Sequence, residues 1–260
     1  MKKIITLIAA TLICSYSAQA WTDSIHAGIA AIAQENLKES TKQRIAEILD
    51  GRSIVYIASM PGDNISGTIA ITAKNKPYSI AKVAKSKDAD IRNAALLSDI
   101  TLALANVVAQ DKKVAAEALR ELITAIGDMH CPGHYLFVDA KHYRDIVICK
   151  AWNSTQVKFT EFWESDAFYS TYGWTTNEFV HQLARKTPEQ IDAITNGSYN
   201  DWVVENAVEY RKLYQSMPAE ITLAKGIDYT LWKNKLYPVA IEQIAVAGYR
   251  LAAILNLILD

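Results

Sequence analysis

The chain has 260 residues, of which 50% are hydrophobic and 21% charged, and its formal net charge is −1. This balance of apolar and charged residues excludes an intrinsically disordered chain, and the length is sufficient to bury a large core. The near-neutral charge also excludes a globally basic surface, so any attraction for phosphate groups has to come from a local site or a bound metal.

The first 20 residues have the composition of a secretory signal peptide. Lys2 and Lys3 give a positive start, an apolar run extends over Ile4–Ile13, and Ala18-Gln19-Ala20 is an A-x-A cleavage site. The run is too short to cross a bilayer as a stop-transfer helix. Cys14 would suit a lipoprotein, but the residue before it is large. We therefore predict cleavage into a mature chain that starts at residue 21, lies in the periplasm or outside the cell, and does not insert into a membrane.

Apolar residues recur at helical spacing over most of the mature chain, and alternating strand-like runs are scarce. Residues 88–129 are rich in Ala and Leu and lack glycine and proline before Gly127, which predicts one long or two consecutive helices. Further helices are predicted over 175–195, with an interruption at Pro188, and over 198–215. Two apolar stripes at the ends of the mature chain predict helices there: Ile25, Ile29, Ile32 and Leu37, and Ile241, Ile244, Gly248, Leu251, Leu255 and Ile258.

Irregular connections are predicted around residues 51–87 and 131–170. No repeat, low-complexity tract or Pro/Ser-rich linker divides the chain. Residues 21–260 are therefore expected to form a single compact domain of the mainly α class.

Two cysteines, Cys131 and Cys149, remain after the predicted cleavage. In an oxidising compartment an even pair is a disulfide candidate. The alternative is two buried thiols that behave as small hydrophobic side chains. The sequence leaves both open, because a bridge depends on the distance between the two Cα atoms.

A tryptophan that becomes the first residue of a mature chain can chelate a metal. The α-amine of Trp21 and its carbonyl oxygen can close a five-membered ring on a cation, and the amine, with a pKa of about 8, releases its proton easily. His26 follows little more than one helical turn later and could add an imidazole nitrogen, which suits zinc. A histidine in an amphipathic helix is more often a surface or capping residue, so this pair alone does not establish a site.

A second stretch, AIGDMHCPGHYL (125–136), strengthens the metal hypothesis. It places Asp128 near a helix end that Pro132 must terminate, and His134 in the turn beyond. Together with the spacing of Trp21 and His26, this stretch resembles the S1/P1 family of zinc-dependent nucleases, which have an N-terminal tryptophan, a histidine five residues later and an I-G-D-M-x-Q-P-L-H segment. Four further segments are similar to the family: YIASMPGDNI (56–65), WNSTQVKFTEFWES (152–165), WVVENAVEYRKLY (202–214) and LYPVAIEQIAVAGYRLAAILN (236–256).

The resemblance implies a mainly helical fold, related to that of zinc phospholipase C, with three zinc ions in a cleft. The implied activity is hydrolysis of phosphodiester bonds in single-stranded DNA or RNA and of the phosphate of 3′-nucleotides. Two zinc ions share the attacking water, and the third stabilises the leaving oxygen. Trp21, His26 and the bridging Asp128 match one of the three zinc sites completely.

The second zinc site of the family is matched only in part. Asp63 and the shared Asp128 are its carboxylates and the implied catalytic residues, but its two histidine positions hold Tyr78 and Thr124. A neutral hydroxyl is a poor substitute for imidazole as a zinc ligand. The resemblance therefore implies a depleted second site.

The third zinc site is also incomplete. His134 matches one of its ligands, whereas Thr160 replaces a histidine and Glu164 replaces an aspartate. Glutamate can still bind zinc through oxygen. With both sites reduced, we expect about one tightly bound zinc ion and weak or lost hydrolysis.

Two other groups implied by the resemblance are missing. Ser66 stands in place of an arginine that steadies transition-state charge, and Ser79 in place of an aromatic residue that stacks on a base. A different histidine could supply a missing ligand: His130, His142 or His181. Many relatives carry a histidine at the position of His130 without using it as a ligand.

Three functions follow from these observations. The first is a zinc nuclease or nucleotidase with a reduced site, whose partners are single-stranded nucleic acid or nucleotides. The second is a non-catalytic binding or scaffold protein on the same fold, with an unidentified protein partner. The third is a zinc phospholipase C-like hydrolase, which the five-residue spacing from Trp21 to His26 and the C-terminal segment disfavour.

Overall fold

The computed structural model describes residues 21–59, 95–135, 147–149, 156–158, 162–163, 173–217 and 232–260, and it is mainly α-helical. The predicted signal peptide, residues 1–20, lies outside the described residues. The helices are α1 (Asp23–Glu35), α2 (Glu39–Ile48), α3 (Ile54–Ala58), α4 (Ala95–Val107), α5 (Lys112–Met129), α6 (Thr176–Leu183), α7 (Pro188–Thr195), α8 (Tyr199–Gln215) and α9 (Tyr237–Leu259). Three smaller kinds of element accompany them: a 3₁₀ turn (Pro132–His134), strands β1 (Val147–Cys149) and β2 (Gln156–Lys158), and a π-helical turn (Trp232–Leu236).

Local capping signals explain where several predicted helices begin. The segment 88–129 contains the two consecutive helices α4 and α5, and α5 begins after Asp111, whose carboxylate accepts a 2.8 Å hydrogen bond from the Lys113 amide. The interruption predicted at Pro188 is confirmed, since α6 ends before it and Pro188 is the first residue of α7. Thr187 forms a capping box there with Gln190, and proline at this first position loses no helical hydrogen bond.

Two details differ from the sequence pattern. Helix α1 ends at Glu35, so Leu37 is buried but lies beyond the helix, because the Asn36 side chain bonds the Ile32 carbonyl and closes the last turn. The segments expected to be irregular contain α3 and a short antiparallel hairpin, in which β1 pairs with β2. Three-residue strands are too short to show an alternating pattern in the sequence.

Helix α1 is central to the described core. All its residues from Ile25 to Ala33 are buried, as expected for a helix that is apolar on every side. It packs against α3, α5, α6 and α9. The contact with α9 is close at Gly248, where an added Cβ atom would lie 2.6 Å from Cγ2 of Ile32. This packing fixes the position of His26, which lies in the first half of α1.

The C-terminal end of α9 forms hydrogen bonds with the connection between α1 and α2. The Asn256 side chain accepts a hydrogen bond of 2.8 Å from the Lys38 amide and donates one of 3.0 Å to the Asn36 carbonyl. The side chains of Lys38 and Ser40 both bond the carboxylate of Asp260. Residues more than 200 positions apart are thereby held together.

The segment Asn234–Leu259 is long and apolar enough to cross a membrane by length and composition alone. Most of its apolar window is nevertheless buried inside the protein. Its contacts with α1, α2, α5, α6 and α7 are those of a core helix.

Candidate metal centre

Helices α1 and α5 bring His26 and Asp128 together. Nε2 of His26 lies 3.2 Å from Oδ1 of Asp128, and both side chains are buried. The two residues are 102 positions apart in the chain, so only the packing of α1 on α5 creates the pair. The result is a buried imidazole and a buried carboxylate facing each other.

The distance between these two donor atoms suits a shared zinc ion. A tetrahedral zinc with ligand bonds of about 2.0 to 2.2 Å separates its donor atoms by roughly 3.3 to 3.6 Å. The 3.2 Å separation is close to that range and longer than the ~2.8 Å of a charge-assisted hydrogen bond. Imidazole nitrogen and carboxylate oxygen are both good zinc donors, so the pair fits the metal that the resemblance implies.

Gly127 makes room for the pair. A Cβ atom at this position would lie 2.7 Å from Cδ2 and 2.8 Å from Nε2 of His26. The imidazole therefore rests directly on the backbone of α5, one residue before Asp128. Because the ring is enclosed by the core, a larger residue would push it away from the carboxylate.

Trp21 lies beside His26 and is almost fully enclosed, with 1% of its surface exposed. The centroids of the two rings are 6.5 Å apart, and the ring planes are tilted by 57°. In the 260-residue chain the nitrogen of Trp21 is an amide joined to Ala20. Cleavage after Ala20 would convert that nitrogen into an amine on the residue whose ring lies beside His26.

His134 is buried in the 3₁₀ turn that follows α5. Burial lowers its pKa; the Asp128 carboxylate raises that pKa and His26 lowers it further. A neutral imidazole is the form that binds a metal.

Burial and like charges also perturb carboxyl groups further along α5. The pKa of Glu121 is raised chiefly by burial, and Asp99, Asp128 and Glu117 raise it further, while Arg120 opposes the effect. Like charges repel less when a cation is present among them. The carboxyl groups of Glu117, Glu121 and Asp128 therefore act on one another as like charges along α5.

Thr124 lies one helical turn before Asp128 on the same face of α5 and is partly buried. Thr124 therefore lies one turn from Asp128, at a position where the resemblance expects an imidazole. Among the described residues, no three His, Cys, Asp or Glu side chains form a cluster able to hold a metal ion. The remaining predicted site positions lie outside the described residues: Asp63, Ser66, Tyr78, Ser79, Thr160 and Glu164.

Both ring nitrogens of His130 form hydrogen bonds inside the protein core. His130 therefore does not serve as a replacement ligand, which corrects that alternative. Its Nδ1 lies 2.7 Å from the Ile126 carbonyl and its Nε2 lies 3.1 Å from the Arg250 guanidinium. Because arginine only donates, Nε2 accepts and Nδ1 carries the proton. Burial, aided by Arg250, lowers the pKa of His130 to about 3, so it stays neutral. His181 is exposed on α6, and His142 lies outside the described residues.

Side chains from α8 hold the turn that follows Asp128, and the sequence pattern missed them. Asn206 donates to the Met129 carbonyl (3.0 Å), Tyr210 to the His130 carbonyl (2.7 Å), and Tyr214 to the Pro132 carbonyl (2.5 Å). Their four-residue spacing within WVVENAVEYRKLY puts them on one helical face and was the only available signal. That spacing does not reveal their carbonyl partners.

The predicted bridge between Cys131 and Cys149 is not settled by these contacts. Cys131 is buried in the same turn, beside the tyrosines of α8. The side chain of Cys149, on β1, lies outside the described residues. The disulfide therefore stays a prediction.

Nearly the whole chain matches a known family. A family model described as S1/P1 Nuclease matches residues 21–260. The chain belongs to the S1/P1 nuclease family. Members of this family are generally zinc-dependent and typically secreted, and their substrates are single-stranded nucleic acids. A search among curated proteins finds none that matches the chain.

Proposed function

We propose that the mature chain, residues 21–260, is an exported S1/P1 nuclease-like protein that binds one zinc ion at Trp21, His26 and Asp128. It hydrolyses single-stranded nucleic acid and 3′-nucleotides only weakly. The observation that carries the proposal is the buried contact of 3.2 Å between His26 and Asp128, next to the buried Trp21. The family match supports it because the match also begins at Trp21.

Each of the three residues has a distinct part in holding the metal. His26 would give a neutral imidazole nitrogen and Asp128 a carboxylate oxygen, and both are fixed by the packing of α1 on α5. Trp21 would give its amine and carbonyl after cleavage, while its buried ring anchors the new terminus. Zinc bound there supplies a Lewis acid that lowers the pKa of a bound water and neutralises phosphate charge.

Weak hydrolysis follows from the donors that this chain lacks. Thr124 offers a neutral hydroxyl one turn before Asp128, and the resemblance places Tyr78 and Ser66 where a histidine and an arginine are expected. Loss of one preorganised charge-stabilising group typically costs about 10²- to 10³-fold in rate. Several such losses in one cleft bring turnover close to the uncatalysed background.

Elemental analysis and activity assays on the mature secreted protein test this proposal together. We expect about one zinc per chain and barely detectable hydrolysis of single-stranded DNA and a 3′-nucleotide. His26→Ala should remove the zinc, whereas His181→Ala, which alters an exposed histidine on α6, should leave it. Three zinc ions per chain, with rapid hydrolysis that His26→Ala abolishes, would contradict the reduced site.

Restoring the missing imidazoles should raise both the zinc content and the activity. In the double variant Thr124→His with Tyr78→His we expect about two zinc ions per chain and hydrolysis at least about 10²-fold faster, because the second site regains its nitrogen donors. Lys113→His is the matched control, since it adds an exposed imidazole to the first turn of the same helix. An unchanged zinc content in the double variant would show that Thr124 and Tyr78 do not occupy ligand positions.

A further inference from the structure

The carbonyl groups at the end of α5 are all hydrogen-bonded. A helix leaves its last four carbonyls without partners inside the helix, so their donors have to come from elsewhere. Here His130 donates its Nδ1 proton to Ile126 and its amide to Gly127, and the Cys131 amide donates to Asp128. The fourth carbonyl, that of Met129, accepts from Asn206 and from the hydroxyl of Tyr135.

The carbonyls of the following turn depend on α8 in the same way. Tyr210 donates to His130, and Tyr214 donates to Pro132. Asn206, Tyr210 and Tyr214 are each buried, with at most 3% of their surface exposed. Burial raises the pKa of both tyrosines well above 10, so each hydroxyl keeps the proton that it donates.

These bonds fix the segment between Asp128, a proposed zinc ligand, and His134, which the resemblance implies as a ligand of another zinc site. Asp128 comes immediately before residues 129–132, and His134 follows them in the 3₁₀ turn. Rotation of any peptide group in this segment would therefore change the placement of one ligand relative to the other. A buried carbonyl that loses its donor favours such a rotation, because it must find another partner.

We propose that Asn206, Tyr210 and Tyr214 are positioning residues: through three backbone carbonyls they fix the turn after Asp128, and with it the placement of Asp128 and His134, before a metal binds. Each of the three acts through a hydrogen bond to a main-chain oxygen. The turn is preorganised by the protein, so zinc binds to a formed site. The effect on zinc affinity rests on the function proposed above, whereas the effect on the turn does not.

Tyr210→Phe and Tyr214→Phe test the inference because each removes one hydroxyl and keeps the ring. In the zinc-free mature protein, we expect amide hydrogen exchange at residues 130–135 to accelerate about 5- to 10-fold. Tyr249→Phe is the matched control, since Tyr249 is also buried and its hydroxyl accepts a 3.1 Å bond from the Lys186 amide on another segment. It should lower global stability to a similar extent without accelerating exchange in the turn.

Zinc affinity, measured by competition with a chelator, gives the second readout. Loss of a group that orients ligands typically weakens metal binding by about 10- to 100-fold. We expect that loss for Tyr210→Phe and Tyr214→Phe but not for Tyr249→Phe. The inference is overturned if exchange in the turn matches that of the control variant, or if exchange accelerates and zinc affinity stays the same. If the unsubstituted mature chain binds no zinc, the proposed function fails, and the exchange comparison alone decides whether α8 positions the turn.

Discussion

A chain that keeps residues 1–20 is expected to bind zinc more than about 100-fold more weakly than the chain that begins at Trp21. Loss of an outer partner of a metal ligand already costs about 10- to 100-fold, and here a donor atom itself is lost. When Ala20 is attached, the nitrogen of Trp21 is an amide whose lone pair is delocalised. The amine and its chelate ring are then absent, although His26 and Asp128 are still in place.

The contribution of the Trp21 amine to zinc binding can be isolated by comparing three chains with the mature one: the unprocessed chain, a glycine-extended chain and a Trp21→Phe chain. A mature chain with one additional glycine before Trp21 should bind zinc as poorly as the unprocessed chain. A mature chain with Trp21→Phe keeps the amine and should retain most of the affinity, despite losing stability from a smaller buried ring. Competition titrations with a chelator measure all three. Equal affinity of the glycine-extended and mature chains would exclude the amine as a ligand.

Arg250→Met should lower the free energy of unfolding by about 2 to 4 kcal/mol, because a buried acceptor loses its donor, at about 1 to 3 kcal/mol, and a partly buried acceptor loses a hydrogen bond worth about 1 kcal/mol. These acceptors are Nε2 of His130 (3.1 Å) and the Ile194 carbonyl (2.9 Å). The guanidinium also lies 4.9 Å from the ring centre of Trp202, a cation–π contact that methionine cannot replace. Denaturant unfolding measures the change.

Glu205→Gln is the control for the charge on the same guanidinium. Glu205 bonds Arg250, but 59% of its side chain is exposed, so we expect a loss of only about 0 to 1 kcal/mol. A larger loss for Glu205→Gln than for Arg250→Met would mean that the ion pair, rather than the buried hydrogen bonds, stabilises this part of the core. The two variants thus separate the contribution of the Arg250–Glu205 ion pair to stability from that of the hydrogen bonds that Arg250 donates inside the core.

Helix positions were predictable because they depend on spacing that the sequence displays. The apolar residues Ile25, Ile29 and Ile32, which recur at helical spacing, lie in α1. The interruption predicted at Pro188 coincides with the start of α7. The π-helical turn before α9 was not predictable, since no apolar period distinguishes it from an α-helix. The sequence pattern placed Leu37 in the first helix, but α1 ends at Glu35. Leu37 is buried beyond the helix end, and burial alone does not show where a helix stops.

The candidate site was predictable only as far as its donor atoms. Trp21, His26 and Asp128 could be chosen by ligand chemistry and by the family resemblance, and the structure brings His26 and Asp128 into contact. The role of Gly127, which lets the His26 ring rest on the backbone of α5, required the packing of two helices. The same holds for Asn206 and its neighbours on α8, because a bond from a side chain to a distant carbonyl leaves no trace in local sequence spacing.

The packing of α1 against α9 has a consequence for the order of folding. Asn36 and Asn256 are 220 positions apart, and the first helix of the described core packs against the last. Chains whose contacts join distant positions collapse to the native state slowly, because a large loop must close first. A nascent chain therefore cannot complete this core until α9, the last helix, has been synthesised.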